Sequence, residues 1–210
     1  LFAPHKRKVV GLAAQQIWTR DVSKRGQRAH YATRPYEEKE SYKWEQTAKT
    51  LATRLGSTIA NVISVCDREA DIYEYLHYKQ KHTQRFVVRS MQSRCINEHD
   101  NKLYDYARQC QSAGTRVVKI PQRGGRKARE AVLDIKFARV TLKAPANKRR
   151  EPDIPLYYVG CIEQGDATRG GGRREDTEAA IALHRDRRSR KFIPQHASRA
   201  RTRTDIRSRV

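Results

Sequence analysis

Asp67 is the residue whose type and position promise most chemistry. It follows the short apolar run Asn61-Val-Ile-Ser-Val-Cys66 and precedes Arg68-Glu-Ala-Asp71-Ile-Tyr-Glu-Tyr-Leu76, a stretch with helical spacing. A carboxylate at the C-terminal end of a buried strand sits where open α/β sheets place their ligands. Hard divalent cations such as Mg²⁺ or Mn²⁺ take oxygen ligands, and carboxylates from several elements make such a site. Two ions roughly 4 Å apart activate an attacking oxygen and stabilise a leaving one in phosphoryl transfer. An aspartate in this place is also a favoured N-cap, and on position alone the cap is the simpler reading. Glu69 and Asp71 lie in the first turn of the same segment, where acids complement the helix dipole. Arg68 either contacts phosphate or is a solvated helix-start arginine. Arg89, at the end of the next apolar run, reads by itself as a strand residue that snorkels to solvent.

A second group is the basic loop Arg123-Gly-Gly-Arg126-Lys127-Ala-Arg129. Guanidinium and ammonium groups so spaced neutralise phosphates and release counterions without reading sequence; a solvated loop has the same composition. Trp18 and Trp44 are of a type that stacks on bases, although packing against a core uses them equally well. The seven histidines are scattered singly, with no pair at helical metal-ligand spacing. Cys66, Cys95, Cys110 and Cys161 form no C-x-x-C pair, which gives little support to a zinc site or a secreted disulfide framework.

The elements that must position these residues read as alternating α and β. Val9 to Trp18 suits a strand, and a polar, basic loop runs from there to Arg34. Glu37 to Leu55 has good helix formers, with Tyr42, Thr47, Ala48, Leu51 and Leu55 at three-to-four spacing, and Gly56 stops it. Asn61 to Cys66 suits a buried parallel strand, Glu69 to Lys81 a helix with Ile72, Tyr75 and Leu76 on one face, and Arg85 to Arg89 a second strand. From Leu103 the pattern shifts. A short helix to Gln111 precedes Thr115 to Ile120, then a turn-rich basic stretch to Lys127. Two alternating runs follow, Glu130 to Phe137 and Arg139 to Leu142, then the loop Pro145 to Pro152 and a last apolar run, Ile154 to Cys161. This is the signature of antiparallel strands inserted into an α/β core.

The chain has 210 residues, enough for one domain with a real core, and a net charge of +22. No apolar stretch approaches the roughly 18 residues of a membrane span, and no signal-peptide pattern opens the chain. A soluble protein of a reducing compartment with a polyanionic partner, most naturally nucleic acid, is expected. The charge is of two kinds. Residues 1–165 carry 32 basic and 17 acidic side chains, with arginine and lysine mixed; residues 166–210 carry 13 and 6, and their only lysine is Lys191. Past Asp166 the only aromatic is Phe192.

The stretch Asn61 to Leu76, with its Cys-Asp-Arg-Glu-Ala-Asp core, resembles the second-aspartate region of bacterial cut-and-paste DDE transposases, in the branch that cleaves transposon ends through DNA hairpins. Arg85-Phe-Val-Val-Arg-Ser is similar to the family's next strand. Tyr104-Asp-Tyr, Ile120-Pro-Gln-Arg-Gly, Arg126-Lys-Ala-Arg-Glu-Ala and Val140-Thr-Leu-Lys resemble its β-rich insertion. Gly11-Leu-Ala-Ala-Gln-Gln-Ile-Trp-Thr-Arg and Glu38-Lys-Glu-Ser-Tyr-Lys-Trp resemble the stretch between its two catalytic aspartates. The resemblance covers about residues 9 to 165. It implies an α/β fold: an RNase H-like mixed sheet with flanking helices, interrupted by an antiparallel β-rich insertion and incomplete at both ends. Residues 1–100 would be the partial core, 101–165 the insertion and 166–210 an Arg-rich tail. Asp67 would be a catalytic, metal-binding aspartate, Asp71 would not, and Arg89 would contact DNA. Arg68, Arg123, Arg126, Lys127 and Arg129 are the further DNA-contact candidates. Mg²⁺ or Mn²⁺ is the cofactor of the intact family, transposon-end DNA the partner, and a homodimer or a mixed dimer with intact transposase the assembly. The bacterial cytoplasm, at the nucleoid when DNA is bound, is the implied location, with no membrane contact.

The departures carry as much information. The family's first aspartate would precede Leu1; Asp21, the sole aspartate before residue 60, stands in the polar loop. The glutamate signature Tyr-x-x-Arg-x-x-x-Glu-x-x-x-x-x-x-Lys would follow residue 165, yet the last tyrosine is Tyr158. One catalytic acid of three is therefore expected, in a fragment with little activity of its own. The tail is expected to be either a frameshifted reading or a genuine Arg-rich arm that orders on nucleic acid. A non-catalytic basic nucleic-acid-binding protein or transposition inhibitor is the competing function, and a product that never folds is the third. On the gene, a frameshift predicts that another frame past codon 160 continues the family pattern through the Tyr-Arg-Glu-Lys signature; two frames without it would refute the shift.

Overall fold

The computed structural model describes residues 1–19, 34–100, 102–122, 124, 125 and 127–164, together with the backbone at 180 and 181. Its class is mixed α/β. A small hairpin pairs β1 (Phe2–Ala3) with β2 (Lys8–Val9) around a 3-10 turn. The second sheet has the order β3 (Ile63–Cys66), β4 (Arg85–Arg89) and β8 (Ala180–Ile181), with β3 parallel and β8 antiparallel to β4. The third is an antiparallel meander of β5 (Ser112–Ile120), β6 (Arg129–Leu142) and β7 (Ile154–Glu163). Among the described residues three helices flank them: α1 (Lys43–Leu55), α2 (Tyr73–Lys81) and α3 (Leu103–Gln109). Among the described residues no helix is long and apolar enough to cross a membrane.

The apolar runs expected around Asp67 form the parallel pair, but β3 is not the buried strand expected: it lies at the edge of its sheet among the described residues, with no buried residue and Val65 78% exposed. Ile63 lies beside Arg85 and Cys66 beside Val88, with α2 as the crossover, the connection that parallel strands require. Gly56 ends α1 at φ 52°, a conformation L-residues rarely adopt, and its N–H reaches the Ala52 carbonyl. The antiparallel sheet is a separate sheet that shares its core with this layer. Val140, Leu142, Ile154, Leu156 and Tyr158 pack in one buried cluster with Tyr75, Leu76, Phe86, Val88, Ile96 and Leu103. Each fully buried aliphatic side chain there contributes about 1.5–3 kcal/mol relative to exposure.

Four elements differ from the sequence reading. Val9 to Trp18 does not form a strand; pairing stops at Val9, and residues 10–19 run without regular structure along α1. The Ala13 carbonyl accepts from Arg54 at 2.8 Å, and Gln16 bonds Gln46 and Thr47, so side chains of α1 do the work a neighbouring strand would do. The helix expected from Glu37 begins at Lys43. Tyr36–Glu38 and Glu40–Tyr42 are separate 3-10 turns, because Lys39 is extended (ψ 143°) and Tyr36 packs edge-on against Tyr42. The helix expected from Glu69 is broken at Asp71 and Ile72, which leave helical geometry between the 3-10 turn Arg68–Ala70 and α2. The two runs expected between Glu130 and Leu142 are one strand, because Ala138 keeps its place opposite Tyr158.

Beneath β3, Ser64 and Cys66 meet α2. The Lys79 ammonium, 1% exposed, donates to Ser64 Oγ at 2.8 Å and to Gln84 Oε1 at 2.9 Å, and the Cys66 thiol bonds the Tyr75 hydroxyl at 3.3 Å. Burial without a carboxylate partner pushes Lys79 down to about 8. The unfolded chain therefore binds more protons than the fold between about pH 8 and pH 10.5, and this group's contribution to stability rises with pH across that window. Urea denaturation at several pH values is expected to show wild type gaining about 3 kcal/mol relative to Lys79→Met over that range; a flat difference would refute the buried charge.

In β7, the Tyr158 ring lies across Gly160, where an added Cβ would stand 1.8 Å from the phenol oxygen. Tyr158 is fully buried, and its hydroxyl has no hydrogen-bond partner among the described residues. Gly160→Ala is expected to cost about 1–3 kcal/mol through overpacking, whereas Tyr158→Phe is neutral or stabilising, since it removes an unsatisfied hydroxyl. Denaturation midpoints of the two variants check this pair.

Candidate functional site

Asp67 leaves β3 in extended geometry (φ −77°, ψ 179°), and its Oδ1 accepts the Arg68 N–H at 2.6 Å. It is thus a cap of the 3-10 turn. The cap uses one oxygen; Oδ2 has no partner among the described residues, and the side chain is exposed. Since Cys66 is opposite Val88 in a parallel register, the next residues along are Asp67 and Arg89. The carboxylate and the guanidinium therefore leave neighbouring strands at the same sheet end. Arg89 is half-buried, and Arg68 is exposed.

Around this end the charges are interlocked. Glu69 is 3.0 Å from the Lys43 ammonium, which also lies 3.6 Å from Glu40 and 4.6 Å from the centre of the Trp18 ring. Trp18 is half-exposed. Trp44 instead packs on the core, tilted against Tyr75 at 6.3 Å, with a buried indole N–H that meets no acceptor among the described residues.

Asp71 is not a first-turn residue serving a helix dipole. It is 2% exposed, and its Oδ2 accepts from Met91 N at 2.8 Å, Gln92 N at 3.3 Å and Ser90 Oγ at 3.4 Å. Its Oδ1 accepts from Arg94 Nε at 2.9 Å, and the same guanidinium reaches its backbone carbonyl. Tyr104 of α3 adds bonds to Ser90 Oγ and Ser93 Oγ. The turn that follows Arg89 is thereby tied to the turn that follows Asp67. Nothing local in the sequence announces this clamp, because its partners lie 19 to 23 residues away.

The basic hairpin tip is elsewhere. Arg123 and Arg126 lie outside the described residues, as does Asp21. Lys127 is exposed, and Arg129 is held by both nitrogens in a bidentate pair with Glu163. Leu142, at the other end of β6, bridges Ile96, three residues past the clamped turn's Ser93. At roughly 3.4 Å per residue, the tip is about 44 Å along the strand from that end. The structure therefore does not bring Lys127 and Arg129 to Asp67. It brings a different basic turn, Lys148 to Arg150, against the start of α2: Lys148 pairs with Glu74 at 2.8 Å, and Tyr73 Oη donates to the Pro152 carbonyl.

A divalent cation would find few free oxygens here. Asp67 offers one, Glu69 is paired with Lys43, and Asp71 has both oxygens occupied. Among the described residues no group of three His, Cys, Asp or Glu is arranged to hold a metal ion. Asp67 with its described neighbours therefore does not make a complete Mg²⁺ site. Compared with known protein families, the chain matches no family model.

The two aspartates separate by experiment. Asp71→Ala leaves Arg94 and two amides without their acceptor and is expected to cost about 3–5 kcal/mol. Asp67→Asn keeps a good cap and is expected to change stability by less than about 0.5 kcal/mol. Urea denaturation of both variants, with hydrogen exchange at Met91 and Gln92, checks the contrast.

Proposed function

We propose that this chain carries part of the RNase H-like core of a bacterial DDE transposase and binds duplex DNA, without cleaving it alone. The observation that carries the reading is the parallel β3–β4 register, by which Asp67 and Arg89 come next along neighbouring strands at the same C-terminal sheet end. That is where α/β sheets gather ligands. The Cys-Asp-Arg-Glu-Ala-Asp motif around Asp67 and the antiparallel sheet that follows further support it. On this reading Asp67 is one ligand for Mg²⁺ or Mn²⁺, ions that in a complete site supply activation of the attacking oxygen and stabilisation of the leaving one. Arg89 holds a phosphate near that carboxylate. With one carboxylate available, no ion is held in working geometry, and the chain acts by occupying DNA or by joining a mixed dimer with an intact enzyme.

The second reading, a non-catalytic basic nucleic-acid-binding protein or transposition inhibitor, is favoured by the lack of a three-acid group among the described residues. Gel-shift and plasmid-nicking assays test both. The chain is expected to bind duplex DNA at low salt, Arg89→Ala to weaken it about tenfold, near 1.4 kcal/mol, and neither Mg²⁺ nor Mn²⁺ to produce Asp67-dependent nicks. Absence of DNA binding, or binding indifferent to Arg89, would sink the transposase-core reading. Nicking abolished by Asp67→Asn would instead show that the chain is active alone.

A further inference from the structure

We propose that the turn Lys148–Arg150 is a docking site for the phosphate backbone of duplex DNA, on the same end of the molecule as Asp67 and Arg89. The proposal rests on the DNA-binding reading above and adds where the duplex lies. The turn is tied down by its own hydrogen bonds. Lys148 N–H bonds the Pro145 carbonyl at 2.7 Å and Glu151 N–H the Lys148 carbonyl at 2.9 Å. At its base the Asp153 carboxylate accepts from Asn97 Nδ2 at 2.9 Å and Ala144 N–H at 2.8 Å, and Lys143 N–H bonds the Cys95 carbonyl.

These contacts also use up most of the local acids. Glu74 is paired with Lys148, and Asp153 is committed to the loop. Arg149 and Arg150 are exposed, with no hydrogen bond or ion pair among the described residues, beside a shallow dish of about 350 Å³ that Asn147 and Lys148 also line. Glu151 is the opposing charge on its rim. By contrast Arg94, Arg108 and Arg129 each already have a carboxylate. Two unspent guanidinium groups on a hydrogen-bonded turn can each neutralise a backbone phosphate. The position adds the rest. Tyr73 and Glu74, which hold the loop, open the helix that follows Asp67, so the turn borders the Asp67 end.

The test is the salt dependence of binding to a duplex of about 25 base pairs, one comfortably longer than the footprint of a single module. Arg149→Ala/Arg150→Ala is expected to weaken binding by about 10- to 100-fold and to make the slope of log K against log salt shallower by about 2, roughly one unit for each phosphate that is no longer neutralised. Its urea midpoint is expected to stay at the wild-type value, since neither side chain supports the fold. Wild-type affinity and slope in the double variant, with wild type binding DNA, would overturn this proposal alone. A wild type that binds no DNA would overturn the reading beneath it as well. If the double variant lost affinity for a poly-glutamate peptide but kept it for the duplex, the turn would be a protein-docking surface and the DNA assignment would fall.

Discussion

The Asp71 carboxylate sits in the interior with four donors around it: two amides, a hydroxyl and the Arg94 guanidinium. A buried charge tolerates no half-measures. Satisfied by partners from one short turn it orders that turn, and deprived of them it costs several kcal/mol. Here it breaks the helix after Asp67, which is why α2 starts at Tyr73 rather than Glu69. It also fixes the path of the chain after β4 and, through Leu103 N–H to the Arg94 carbonyl, the entry into α3. Asp67 is left exposed at the edge of this clamp, positioned by it without being part of it.

The parallel strands and α2 are legible from residues 61–89 because local signals agree there: β-branched runs of strand length, a helical stretch between them, and polar residues at the joints. Residues 9–18 show the opposite. Their apolar content is that of a strand, but strand formation depends on a neighbour with free backbone groups, and no local pattern reports whether one is there. The clamp is hidden for a related reason. Asp71 reads as an ordinary first-turn acid because its four donors come from Ser90 to Arg94, and only the folded chain brings them together. The basic tip is visible as a charge run, yet its distance from Asp67 follows from the unbroken length of β6. The alternation on either side of Ala138 suggests two strands, and only the pairing with β7 joins them.

Charge is partitioned in the same way. Several of the basic residues are tied to acids: Arg94 with Asp71, Arg129 with Glu163, Lys43 with Glu69, Lys49 with Glu45. Net charge is therefore a weak guide to where a polyanion would lie, and the cations that matter are those the fold leaves without acids. Lys79 marks the other extreme, an ammonium kept under β3 by two neutral oxygens and the face of the Tyr75 ring. Its removal from water stiffens the demand that α2 stay seated against the strand that ends at Asp67.

The unbroken β6 also has a mechanical meaning. From Arg129 to Leu142 it is paired along its whole length, by β5 near the tip and by β7 toward the core. A paired strand resists bending far better than a loop. A pull on the hairpin tip would travel down this beam to Leu142, where the isolated bridge to Ile96 meets the segment that Asp71 and Arg94 anchor. The distal hairpin and the sheet end at Asp67 are thus joined by a lever, with its fulcrum in the shared core.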